Sequence, residues 1–245
     1  MDVIENEQLS TSQAVKHWYY ESKYQLIKKH LSSLGLDLSE ITIADVGTGI
    51  GLFLHKLEID GLASPERSIG IDPAHSESSK AVNSGIPLAP YFSEGRQFDV
   101  ILMMDVLEHV EEDAKLLQKT LLYLKDGGHL IVTVPALPFL MSAHDRFLGH
   151  YRRYTLASLR HLIAGNEYLT PICTHYYFGC ILPIAIPWRI LNRNKSVKSG
   201  SDMKAASTVL NILMKIFCRL ELLLCRHNKI AGLTAVAVYK KSRNE

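Results

Sequence analysis

Residues 41–51 read ITIADVGTGIG, a β-branched run that ends in a carboxylate and passes into three glycines spaced two apart. Gly47, Gly49 and Gly51 would weaken the interior of any helix or strand. At a boundary they allow a sharp turn and a close approach of backbone to a ligand. The run therefore predicts a buried strand that turns abruptly into a helix reaching about Leu57, with backbone N–H groups left at the turn for a polar or anionic ligand.

The rest of the chain alternates in the same way. RSIGID (67–72) reads as a second strand, the segment after Pro73 as a helix ending near Gly85, and 87–94 as a short third strand. FDVILMM (98–104) is the near-continuous apolar run of a strand buried on both faces. A helix follows from about Asp113 to Leu124, then a DGG turn at 126–128 and the strand HLIVTVP. Strand and helix in alternation imply an α/β fold with a doubly wound parallel sheet. Ahead of it, residues 14–34 read as a helix closed by Gly35. After Pro135 come a loop, a helix from Thr155, a strand at 170–178, a helical insertion at 181–228 whose middle (192–202) is expected to be mobile, and a last strand, GLTAVAVYKK, antiparallel if it pairs with 170–178.

The ligand of the glycine turn can be narrowed. A dinucleotide fingerprint, G-x-G-x-x-G, needs its third glycine at position 52, which is Leu52. Instead Asp45 precedes G-x-G-x-G, Asp72 ends the second strand twenty-one residues after Gly51, FDVILMMDVLEHV fills the fourth strand, and LKDGGHLIVTVP the fifth. In these motifs, over roughly 41–135, the chain resembles the class I S-adenosylmethionine-dependent methyltransferases, of the small-molecule or quinone-like O-methyltransferase type. The resemblance implies a Rossmann-like sheet of seven strands with an antiparallel last strand, and S-adenosylmethionine as cofactor. It places Asp45, Gly47, Thr48, Gly49 and Gly51 at the cofactor's amino-acid portion, Asp72 at the ribose, and Asp105, Val106 and Leu107 along the cleft. Tyr91 or Phe92 could stack on the adenine, with an ordinary packing role the blander reading.

On that reading the chain is one domain: a helical lid (1–40) whose Tyr19 can face the reacting centre, a cofactor core (41–135), an acceptor-side region (136–180), the insertion (181–228) and a last strand with its tail (229–245). Ligands of open α/β sheets lie beyond the C-terminal ends of the strands, so SAHDRFLGHYRRYT (142–155), directly after the fifth strand, borders the acceptor. Histidine suits proton transfer near neutral pH, which makes His150, and after it His144, candidate bases. Asp145, Arg146, Tyr151, Arg152 and Arg153 are candidate acceptor-binding residues, the arginines as bidentate clamps for a carboxylate or phosphate. The alternative is that Asp145 and the arginines only tie the loop down by ion pairs. Asp105, Glu108 and His109 could hold a divalent metal, but capping and cleft-shaping are the expected roles, and no metal is expected.

The function read here is methyl transfer to an oxygen of a small-molecule or lipid-linked acceptor. A non-catalytic cofactor-binding module and a nicotinamide-dependent oxidoreductase are the alternatives. Charge adds a hint about partners: from Arg189 to Glu245 twelve Lys and Arg face three acidic residues, although the whole chain carries only +2. A basic, amphipathic stretch at 205–228 suits peripheral contact with the inner face of a membrane, and a homodimer interface explains its apolar stripe equally well. The excess lacks interleaved aromatics, so no nucleic-acid partner is expected. Four cysteines without metal spacing and an acidic N-terminus without a signal-peptide pattern point to the cytoplasm.

Overall fold

A computed structural model describes residues 15–76, 79–191 and 207–242. The chain forms α1 (Trp18–Ser32), β1 (Ile43–Val46), α2 (Leu52–Ile59), β2 (Ser68–Ile71), β3 (Leu88–Ala89), β4 (Phe98–Met104), α3 (Asp113–Leu121) and β5 (Leu124–Pro135). Then follow α4 (Ala143–Phe147), α5 (Leu156–Ala164), β6 (Leu169–Tyr177), α6 (Leu182–Leu191), α7 (Thr208–Leu224) and β7 (Thr234–Lys241). The seven strands form one sheet in the order β3-β2-β1-β4-β5-β7-β6. β1 to β5 are parallel neighbours, and β7 slots antiparallel between β5 and β6.

Alternation along β4 explains the two helical layers. Val100, Leu102 and Met104 pack with Ile27 and Leu31 of α1 and Leu54 and Leu57 of α2. Ile101 and Met103 pack on the other face with Leu117 of α3 and Leu159 and Ile163 of α5. Each fully buried aliphatic side chain of this kind contributes about 1.5–3 kcal/mol. A third apolar cluster, around Tyr177, Phe178, Ile181 and Cys218, fastens α6 and α7 beside α1. Because β6 points the same way as β5, its end delivers α6 to the edge of the sheet where β1, β2 and β4 end. Among the described residues, no helix is long and apolar enough to cross a membrane.

Three local expectations are corrected. No helix follows Pro73 among the described residues up to Gly85; the chain makes turns instead. Val82 N–H donates to the Ile50 carbonyl and Ala81 N–H to that of Ile86, which pins this segment against the glycine turn and removes the helical pattern. β5 begins at Leu124, five residues ahead of HLIVTVP, and the extra residues around Gly127 are absorbed as a register shift against β4 between Phe98 and Val100. The loop after Pro135 contains α4, started by a capping box between Ser142 and Asp145. The stretch 192–202, expected to be mobile, lies outside the described residues.

Candidate active site

β1 delivers Asp45 to the edge of the sheet, and three consecutive turns of backbone follow with positive φ at Gly47 (69°), Gly49 (53°) and Gly51 (75°). Space as well as conformation demands glycine here. A Cβ on Gly47 would stand 2.4 Å from Val106 Cγ2, and one on Gly51 2.3 Å from the Ala81 Cβ. Asp45 is buried, and its carboxylate accepts from Thr48 Oγ1 at 2.9 Å. Burial pushes its carboxyl up to about 6, against the opposing Thr48 hydrogen bond. Asp72, after β2, accepts from the Gly49 N–H at 3.0 Å and from the Ala74 N–H at 3.0 Å. His75 Nε2 lies 2.5 Å from the Gly49 carbonyl. Two carboxylates and a glycine-only backbone thus share one corner of the sheet.

At the end of β4, Asp105 holds a left-handed backbone (φ 55°), unusual for a residue with a side chain. Its carboxylate pairs with Lys23 of α1, accepts from Thr133 Oγ1 at 3.1 Å, and meets the Tyr19 hydroxyl at 3.3 Å. Although burial opposes ionisation, the Lys23 charge and hydrogen bond keep the Asp105 carboxyl below its ordinary range. Tyr19 also stacks on Phe178, with ring centroids 5.4 Å apart. Val106 packs on Gly47, and Leu107 is wholly buried.

Beside this pair opens a cavity of about 430 Å³, walled by Lys23, Asp105, Glu108, His144, His150 and Trp188 among others. Its far side is organised by Asp145, which is fully buried. One carboxylate oxygen faces His150 Nδ1 at 3.2 Å and accepts from Arg153 Nε (2.8 Å) and Nη2 (2.6 Å). The other accepts from Arg189 Nη1 (3.0 Å) and from the Ser142 hydroxyl and N–H (2.8 Å each). Burial raises the Asp145 carboxyl, but His150 and the two arginines more than offset it and hold it far below the ordinary range. With Nδ1 directed at a carboxylate, the imidazole of His150 keeps Nε2 as its proton-accepting atom.

Glu108 sits in the same wall, fully buried, and neither carboxylate oxygen has a hydrogen-bond partner among the described residues. Burial, reinforced by the Asp105 charge, pushes its carboxyl well above the ordinary value. Donor atoms of Glu108, His109 and His150 lie within 4.8 Å of one another, a spacing that can share a proton or hold a divalent cation. The rings of His109 and His150 meet edge to face, centroids 4.5 Å apart.

The structure brings together Tyr19, Asp105, His144, Asp145, His150 and Arg153 around the cavity. Arg152 lies apart, on Asp113 (2.9 Å) and the Glu111 carbonyl (2.7 Å), and Arg146 and Tyr151 are exposed. Phe92 stacks on Tyr123 at 4.1 Å, while Tyr91 is exposed. Sequence reasoning missed Lys23, Arg189 and the buried state of Glu108. Lys23 left one trace: it stands one helical turn after Tyr19, on the side of α1 that carries Tyr20 and Tyr24 inward. Arg189 left none, because its partner lies 44 residues earlier.

Comparison with known proteins points the same way. A family model described as a methyltransferase domain matches residues 16–178, more than half of the chain. A curated protein, ubiquinone biosynthesis O-methyltransferase of Serratia proteamaculans, is 28% identical over 98 residues, which cover 36% of this chain and 40% of that protein, so the match spans less than half of its length. Among solved structures, a Galdieria sulphuraria protein assigned as a sarcosine dimethylglycine methyltransferase superposes with a TM-score of 0.56 at 16% identity, over 90% of this chain and 85% of that one. The N-methyltransferase NodS of Bradyrhizobium japonicum, solved with S-adenosyl-L-homocysteine, superposes with a TM-score of 0.50 at 17% identity, over 91% and 87% of the two chains. At these identities the structural likeness speaks to the fold.

Proposed function

The chain belongs to the methyltransferase-domain family, and from that premise we propose that it moves a methyl group from S-adenosylmethionine to an oxygen of a small-molecule or lipid-linked acceptor. The residues present fit the donor. The glycine turn allows backbone to approach its amino-acid portion, the Asp72 carboxylate can take ribose hydroxyls, and Asp105 stands where β4 meets the cavity. When bound, S-adenosylmethionine supplies a methyl carbon already activated by its sulfonium. What is left to the protein is alignment, worth about 7–11 kcal/mol, and a positioned base, worth about 10²- to 10⁴-fold.

The observation that carries an oxygen acceptor is the Asp145–His150 pair in the cavity wall. A hydroxyl must lose its proton as its oxygen takes the methyl group, and that proton passes to His150 Nε2. Asp145 holds the ring in the productive tautomer and stabilises the imidazolium that forms. Arg153 and Arg189 keep Asp145 ionised, so in this reading they act on the base rather than clamping the acceptor. The name of the Serratia proteamaculans relative agrees with an oxygen acceptor. Four unpaired cysteines suit a cytoplasmic setting.

Calorimetric titration with S-adenosylmethionine, followed by a transfer screen over phenols, hydroxy acids, amines and prenylated acceptors, tests the proposal. His150→Ala is expected to lower kcat on a hydroxyl acceptor by about 10²- to 10⁴-fold with S-adenosylmethionine affinity unchanged. Absence of S-adenosylmethionine binding sinks the donor. Full turnover by His150→Ala sinks the base.

A further inference from the structure

The outer face of α7 is apolar where a solvent-facing helix is normally polar. Val209, Ile216, Phe217, Leu220 and Leu223 are each at least half exposed, and Ile184, Trp188 and Leu191 extend the surface across α6. The inward side of α7 is already satisfied: Asn211 accepts from the Trp18 N–H at 2.7 Å, and Cys218 is buried in the cluster with Tyr177 and Phe178. The apolar face is therefore surplus to folding. It is also continuous with the cavity, since Ile184 and Trp188 of α6 and Leu210 and Met214 of α7 form part of its wall.

Charge selects the occupant. Lys215 and Arg219 follow one margin of the stripe four residues apart, and from Arg189 to Glu245 the sequence carries twelve Lys and Arg against three acidic residues. Glu221, the sole acidic residue of α7, is turned away to accept from the N–H groups of Gly179 (2.7 Å) and Cys180 (3.2 Å). A second copy of the chain would bring a like-charged margin against this one. An anionic lipid surface complements it, and interfacial helices combine an apolar face with flanking Lys and Arg in this way.

We propose that the outer face of α6 and α7 docks on an anionic lipid bilayer and that the cavity takes its acceptor, a molecule with an apolar tail, from that surface. The identity of what enters the cavity rests on the methyl-transfer reading above; the docking does not. Cosedimentation of the full chain with phosphatidylcholine vesicles, with and without phosphatidylglycerol, tests it, alongside calorimetry with S-adenosylmethionine and light scattering without lipid. Wild type should partition at least tenfold more strongly onto the anionic vesicles, less so at high salt. Ile216→Glu with Leu220→Glu should remove that partitioning at unchanged melting temperature and S-adenosylmethionine affinity. Failure to bind anionic vesicles, or equal binding by the double variant, overturns the proposal. A dimer in solution that the same variant dissociates overturns it in favour of a second copy. Loss of S-adenosylmethionine binding with vesicle binding intact strikes the methyl-transfer reading and leaves the docking standing.

Discussion

Two corners of one sheet edge are built by opposite means. Beyond β1 and β2 the site is made of backbone: three left-handed glycines, a carboxylate that receives the Gly49 N–H, and little room for side chains. Beyond β5 it is made of side chains, with Asp145 gathering His150, Arg153, Arg189 and Ser142 from three separate segments. A backbone site is set by local conformation and tolerates variation around it. A side-chain network is set by packing, and its members stand or fall together.

The comparison breaks most visibly at Asp145. Asp145→Ala would leave two guanidinium groups with their buried counter-charge removed, a loss of about 3–5 kcal/mol of stability, measurable by urea unfolding, together with loss of the His150 orientation. The pH dependence has a definite sign. The Asp145 carboxyl lies below its unfolded value, so its stabilisation is complete above about pH 4 and drains away as pH falls further. Asp145→Ala should abolish that acid limb of the stability profile. An unchanged urea midpoint would show that the arginines find other partners and that the acceptor corner is not a network.

At the backbone corner the expected effect is smaller and of another kind. Gly47→Ala places a Cβ 2.4 Å from Val106 Cγ2 at a φ of 69°. Strain of this type costs about 1–3 kcal/mol, read as a weakening of S-adenosylmethionine binding by roughly 5- to 150-fold with the Asp145 network, and so the acid limb, untouched. Wild-type affinity in this variant would remove the claim that close backbone approach builds the cofactor corner.

The same contrast explains what could be read from the chain beforehand. The glycine turn, Asp72 and the alternation of strand and helix are local signals: spacing, β-branched runs and turn residues within a few positions of one another. The antiparallel last strand followed from the family resemblance, and β7 pairs antiparallel with both β5 and β6. The helix expected after Pro73 failed because the glycine turn captures Val82 through Ile50, 32 residues earlier, a tertiary contact that propensity does not encode. In 142–155 the density of charge was visible, but not its wiring: the second guanidinium on Asp145 comes from Arg189, inside a helix that reads as apolar.

Glu108 lies between the two corners and tests where the boundary falls. Its carboxyl is raised in the folded chain by burial and by Asp105, so the native state holds a proton that the unfolded state has released over the interval between their pKa values. Stability contributed by this group therefore declines as pH rises through that interval, the reverse of Asp145. Glu108→Gln keeps the shape and removes the ionisable proton. Its stability should match wild type in mild acid and exceed it in mild alkali, a small gain visible as a flatter melting temperature against pH. A variant that instead loses stability at alkaline pH would mean that Glu108 is ionised in the folded protein, held by His109 or His150 as part of the acceptor network. In that case the side-chain corner reaches back to the end of β4, and the cavity is one charged assembly rather than a neutral wall between two sites.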